Sequence, residues 1–118
     1  MPRRRVDGSA AEDAAARYLE GRGYEIGHRN FATPFGEVDI IAVDGDTIVF
    51  VEVKARSTRI YGPPEAAVDE RKQAKLHDMA DIFLDRRGIG DDVPYRFDIV
   101  ALIERDDGWD IEHFEDAF

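Results

Sequence analysis

The sequence has no cysteine, which excludes disulfide staples and every thiolate metal site. Long hydrophobic runs are also missing: none approaches the ~18 residues of a membrane-spanning helix. The basic opening Met1-Pro2-Arg3-Arg4-Arg5 is not followed by the apolar stretch of a signal peptide. These absences point away from the membrane and make the cytoplasm the expected compartment. Positive charge is in deficit, with 16 basic against 26 acidic residues and a formal charge of −10. Indiscriminate coating of nucleic acid is thereby excluded, because phosphate neutralisation dominates such binding.

The deficit is uneven. Residues 104–118 hold seven acids against Arg105 alone, whereas basic residues cluster at Arg3–Arg5, at Lys54/Arg56/Arg59 and at Arg71/Lys72/Lys75. A local nucleic-acid face is therefore compatible with the total charge. What remains is ordinary globular composition, 43% hydrophobic and 36% charged over 118 residues, enough for one core. Residues 1–8 read as a flexible basic tail and 9–118 as a single domain.

Ala11, Ala14, Ala15, Tyr18 and Leu19 lie at the spacing of one apolar helix face after Ser9, and Gly21 and Gly23 end that helix. Tyr24, Ile26 and His28 alternate as a first strand, and Asn30 to Gly36 reads as a loop. Glu37–Val43 and Thr47–Ala55 are β-rich runs joined across Asp44-Gly45-Asp46, a hairpin whose near-continuous apolar character suits a central, doubly covered pair. Arg56 to Pro64, with its serine, threonine, glycine and prolines, reads as a loop. Asp69 can cap a second helix buried through Leu76, Met79, Ala80, Phe83 and Leu84 and stopped by Gly88. Tyr95–Ile103 alternates as a fourth strand, and Asp107-Gly108 turns into a short fifth around Trp109, Ile111 and His113. The order helix-strand-strand-strand-helix-strand-strand predicts an α/β domain with a mixed sheet flanked by helices.

The hairpin carries charges that a covered sheet should not. Glu37 and Asp39 share one strand face, as do Glu52 and Lys54. Buried charges cost several kcal/mol unless paired or bound to metal. Whether the pairs meet depends on register. If Val43 faces Asp46, Glu37 opposes Glu52; if Val43 faces Ile48, Asp39 does; the intermediate register separates the pairs. Opposed carboxylates about 5 Å apart at Cβ can share one cation. Oxygen ligands suit Mg²⁺ or Mn²⁺, and such an ion can clamp a phosphodiester and activate water. Lys54 is placed to orient that water or to offset phosphate charge. The plainer alternative is a cross-strand salt-bridge network.

Phe35-Gly36-Glu37-Val38-Asp39-Ile40-Ile41 followed by Val49-Phe50-Val51-Glu52-Val53-Lys54-Ala55-Arg56-Ser57 resembles the YraN family. These bacterial endonuclease-like proteins are related to archaeal Holliday-junction resolvases and the PD-(D/E)xK nuclease superfamily. The resemblance runs nearly end to end, through Glu12–Leu19, Val68–Lys72, Arg96–Val100 and the closing Ala117-Phe118. The superfamily's leading proline is Val38 here. The resemblance implies a restriction-endonuclease-like fold with Asp39, Glu52 and Lys54 as motif residues, assisted by Glu37. It also places Glu12 where the resolvases have a first-helix glutamate at the metal. Ser9-Ala10-Ala11-Glu12 is equally a capping-box pattern, so both roles for Glu12 stand open.

The implied function is a Mg²⁺- or Mn²⁺-dependent endonuclease acting on DNA, branched or single-stranded. Asp39, Glu52 and Glu12 would hold metal, and Arg56, Arg59, Lys72 and Lys75 would contact nucleic acid. Lys72 has the alternative of a snorkelling stem. Relatives that cut four-way junctions act as homodimers. The rival function is a non-catalytic module on the same fold that binds nucleic-acid structures or protein. Asp98 reads as a structural partner of Arg96, Trp109 and Phe97 as core, and His28, His77 and His113 carry no ligand spacing.

Overall fold

A computed structural model describes residues 8–56 and 68–118. Residues 1–7 of the basic tail and the segment after Arg56, with Arg59 in it, fall outside the described residues. Helix α1 spans Gly8–Gly21, followed by strands β1 Glu25–Thr33, β2 Gly36–Asp44 and β3 Thr47–Arg56, helix α2 Glu70–Arg86, and strands β4 Tyr95–Arg105 and β5 Gly108–Phe114. This is the element order expected from the sequence. The five strands form one sheet in chain order, antiparallel except for β3 and β4, which run parallel. Parallel neighbours need a long crossover, and α2 lies on that crossover. Among the described residues, no helix is long and apolar enough to cross a membrane.

Each face of the sheet carries its own core. On one face Ala11, Ala15 and Leu19 of α1 pack with Ile40, Ala42, Val49, Val51, Val100 and Leu102. On the other, Leu76, Met79, Ala80 and Phe83 of α2 pack with Phe31, Val38, Ile41, Phe50, Phe97 and Ile99. Central strands buried on both sides explain why β2 and β3 read as almost continuous apolar runs. Phe97 belongs to the core, and Trp109 packs half-buried against the α1-side cluster. Helix ends follow their local chemistry. Gly23, at φ 92°, lets the Tyr24 N–H return to the Leu19 carbonyl at 3.0 Å. The Asp69 side chain accepts from the Lys72 N–H at 2.8 Å as the N-cap of α2.

Two expectations about β1 need correction. The stretch from Asn30 is no loop: β1 continues to Thr33, with Phe31 opposite Val38 and Thr33 opposite Gly36. Burial of Phe31 against Phe83 holds it there, and the chain turns only at Pro34-Phe35. His28 also does not share a face with Tyr24 and Ile26. A register shift between Ile26 and His28 sends its ring to Phe31 and Phe83 on the α2 side.

A carboxylate fork as the candidate active site

The β2–β3 hairpin adopts the register in which Val43 faces Ile48, and its ladder runs from Asp44–Thr47 to Ile40–Val51. One step further, Asp39 and Glu52 stand opposite. There the strands part, and the Asp39 carboxylate takes the Val53 N–H at 2.8 Å in place of a backbone partner. Glu52 is in phase with Ile48 and Phe50 on the α2 side, whereas Val53 and Ala55 pack against the α1 side. Asp39 lies with Glu12 and Glu37 along a cleft of about 430 Å³ on the α1 side, which Arg29 and Asn30 also line. The two sets therefore approach from opposite faces and meet through the gap between the strands.

Asp39 and Glu52 are within hydrogen-bonding reach of each other. Burial, then the bond to Glu52, pushes the Asp39 carboxyl up to about 7, against the Val53 N–H, which favours its charge. Asp39 therefore keeps its proton below about pH 7, where an ordinary aspartate has lost it. Glu52 is only 5% exposed, and its Oε2 is a buried oxygen without a hydrogen bond. Two ammonium groups stand near that oxygen, Lys72 Nζ at 3.2 Å and Lys54 Nζ at 3.6 Å. Both are within ion-pair distance, but neither is aligned to donate to it. A buried carboxylate oxygen that is faced by cations but accepts no hydrogen bond, opposite a second carboxyl, fits a hard divalent cation. Asp39 and Glu52 could hold it, with Glu12 as a further oxygen donor.

Glu12 is 8% exposed and is approached from β1. Arg29 Nε and Asn30 Nδ2 donate to its Oε1 at 3.0 and 2.9 Å, and Arg29 also reaches Asp13. Glu37 is exposed at the cleft mouth. Arg56 lies exposed at the end of β3, and Lys72 and Lys75 line a shallow depression on α2 with Asp69 and Arg71. The fork therefore brings together Asp39, Glu52, Lys54 and Lys72, and sets Glu12 and Glu37 beside Asp39. Arg56 and Lys75 stay at its periphery.

A second charged cluster escaped the sequence reading. Asp98, His113 and Glu115 offer ligand atoms within 4.8 Å of one another, a group that could hold a metal ion. Among the described residues it is the one acid–histidine trio that converges so closely. Its local partners argue for a structural role. Asp98 is fully buried and receives His113 Nε2 at 2.8 Å, Arg96 Nε at 3.0 Å and the Asp116 N–H at 3.0 Å. Arg96 Nη2 also reaches Tyr24, Asp44 and Glu115 at 2.6, 3.1 and 3.3 Å. Burial works against the Asp98 charge, but the bonds from His113, Arg96 and Asp116 outweigh it and hold its carboxyl below the usual range. The Arg96 guanidinium already bridges two of the three, Asp98 and Glu115. The signal was present in the β4–β5 turn. Arg105 pairs with Gly108, which carries Val100 to His113 and, two steps on, Asp98 to Glu115.

Comparison with known proteins places this geometry in a family. The model of "Uncharacterised protein family UPF0102" matches residues 11–102, which include both strands of the fork. A UPF0102 protein of Geotalea uraniireducens is 48% identical over 112 residues, 94% of this chain and 87% of that one. Another from Syntrophus aciditrophicus is 45% identical over 94% of this chain and 87% of its own length. A third, from Geobacter sulfurreducens, is 47% identical over 97% and 89%. None of these names states an activity. The chain belongs to the UPF0102, or YraN, family.

Proposed function

We propose that the fork is the active site of a divalent-metal-dependent nuclease that hydrolyses phosphodiester bonds in DNA. The observation that carries this reading is the half-buried Asp39 carboxyl set opposite the buried Glu52 carboxylate at the point where β2 and β3 part, with Glu12 and Glu37 beside Asp39 in one cleft. The YraN resemblance and its restriction-endonuclease-like arrangement support the same chemistry. Asp39 and Glu52 would hold Mg²⁺ or Mn²⁺, with Glu12 adding a third carboxylate. The bound ion would supply Lewis-acid activation of the phosphodiester and of water.

The chain's own residues do the rest. Lys54 and Lys72 stand beside the Glu52 oxygen that would hold the ion. Lys54, at 21% side-chain exposure, orients the attacking water and offsets charge on the phosphate. Lys72, at 43%, reaches outward to the substrate backbone. Glu37 assists at the cleft mouth. Arg56 and Lys75 extend the basic margin, and that local margin is what binds DNA against a total charge of −10. On a branched substrate, a homodimer working in the cytoplasm would suit symmetric cutting of two strands.

Glu52→Ala tests the reading. Cleavage of single-stranded and four-way-junction DNA in Mn²⁺ should fall to background while the thermal transition stays cooperative. Retained cleavage in a preparation free of contaminating nuclease overturns the proposal. Strong DNA binding that persists in EDTA, with no cleavage by wild type in Mn²⁺, favours a non-catalytic binding module instead.

A further inference from the structure

The wall of the cleft facing α1 contains an irregularity that the proposed chemistry has not yet used. Asn30 lies inside β1 with φ 56°, the left-handed region that a strand residue rarely enters. Its neighbours Arg29 and Phe31 pair with Ile40 and Val38, which leaves Asn30 opposite Asp39 at an unpaired step. Side chains on a regular strand alternate faces. Here Arg29 and Asn30, adjacent in sequence, both reach Glu12 on the α1 side. The slip is matched across the ladder. Val38 and Ile41 belong to the α2-side core and Ile40 to the α1-side core, so Asp39 and Ile40 both face α1.

Paired slips of this kind re-aim side chains at a cost in regularity. Here they assemble Arg29, Asn30, Asp39 and Glu12 on one wall. Asparagine suits this place for two reasons. It tolerates left-handed backbone better than most residues, and its carboxamide supplies a neutral donor. The bonds from Arg29 and Asn30 to Glu12 both fall on Oε1. They fix the carboxylate plane and commit one of its two oxygens.

We propose that Asn30 is a positioning residue: its left-handed backbone turns the carboxamide onto Glu12 Oε1, so that Oε2 serves as the third carboxylate oxygen for a divalent ion at Asp39 and Glu52. The proposal rests on the metal-site reading of the fork. Arg29 neutralises Glu12 and would do so in any salt bridge. Asn30 adds no charge, and its role is orientation. Outer-shell partners of this kind are worth about 10- to 100-fold in metal affinity.

The test is Mn²⁺ calorimetry on the full chain as wild type, Asn30→Gly, Glu12→Gln and the double variant, with denaturant unfolding of each. Glycine accepts φ 56° without strain but has no amide donor, so Asn30→Gly keeps the backbone and removes only the bond to Glu12. Its Mn²⁺ dissociation constant should rise at least about tenfold while it still unfolds in one cooperative step. In the Glu12→Gln background, Asn30→Gly should change affinity no further, because the residue acts through that carboxylate. Unchanged Mn²⁺ affinity in folded Asn30→Gly overturns the proposal, and so does a full penalty persisting in the Glu12→Gln background. If Asn30→Gly fails to fold, Glu12→Gln carries the test: unchanged Mn²⁺ affinity in that folded variant overturns the proposal, because Asn30 acts on the ion only through that carboxylate. Absence of Mn²⁺ binding by wild type would instead remove the metal-site reading itself.

Discussion

Two buried acid clusters lie on this sheet, and they have opposite electrostatic characters. At the end of the sheet where β4 and β5 meet the chain terminus, Asp98 is surrounded by donors: Arg96, His113 and the Asp116 N–H all point at it. At the fork, Asp39 and Glu52 face each other, and one buried oxygen of Glu52 lacks a hydrogen bond. The Asp98 carboxyl is held below its ordinary range and the Asp39 carboxyl is pushed up to about 7. The same residue type in the same sheet is thus a fully hydrogen-bonded anchor in one place and, in the other, a carboxyl facing Glu52, whose Oε2 is ion-paired to Lys54 and Lys72 without a hydrogen bond. Burial alone identifies neither; the donor count around the carboxylate separates structure from chemistry.

The contrast can be broken by substitution. Replacing Lys54 with methionine should lower the cleavage rate by about 10²- to 10⁴-fold while Mn²⁺ binding remains, since the lysine stands beside the ligands and is not one of them. Equal loss of metal binding would place Lys54 in the coordination shell's support instead. Asp98→Asn should act in the other direction. It strips a buried charge from Arg96 and His113 and should destabilise the protein by about 3–5 kcal/mol, with Mn²⁺ affinity unchanged below the unfolding transition. Denaturant melts and calorimetry on the same sample check both halves.

The two carboxyls also set opposite pH limbs. Asp39 has a folded value of about 7 above its ordinary 3.8, so between those values the unfolded chain gives up a proton that the fold retains. Metal-free stability should therefore fall as pH rises from about 4 to 7, by up to about 1.4 kcal/mol per unit. Asp98 is depressed, so its contribution is present above pH 3.8 and lost as pH falls through its folded value. Asp39→Asn should erase the upper limb and make the metal-free protein more stable at pH 8, by on the order of 2 kcal/mol. A flat wild-type profile from pH 4 to 7 in EDTA would contradict the raised Asp39 carboxyl. The smallest expected effect lies at the periphery: Lys75→Ala should weaken DNA binding modestly and reduce the salt slope by about one phosphate contact.

Much of this was legible in the residues. The hairpin turn and the apolar run Ile48–Val51 marked a doubly covered strand pair, and the charges within it marked the fork. The Asp69 cap and the Gly88 stop bounded α2 closely. What stayed hidden depended on departures from regular alternation. Gly27 and Asn30 look like breakers, yet β1 passes through both, because pairing to β2 and burial of Phe31 outweigh local preference. The same departures put Arg29 and Asn30 on one wall, which a period of two cannot anticipate. The Asp98 cluster was hidden for a different reason. It joins Tyr24, Asp44, Arg96, His113 and Glu115 from both ends of the chain, and only the sheet order brings them together.

The central claim, that the fork exists to hold a divalent ion, is tested most directly by Mn²⁺ calorimetry on wild type and an Asp39→Asn/Glu52→Gln double variant, run near pH 6 in buffers of different ionisation enthalpy. The account predicts that wild type binds Mn²⁺ with release of about one proton, and that the folded double variant binds none. Binding that survives in the double variant would shift the metal to Asp98, His113 and Glu115, and no binding by wild type would contradict the account outright.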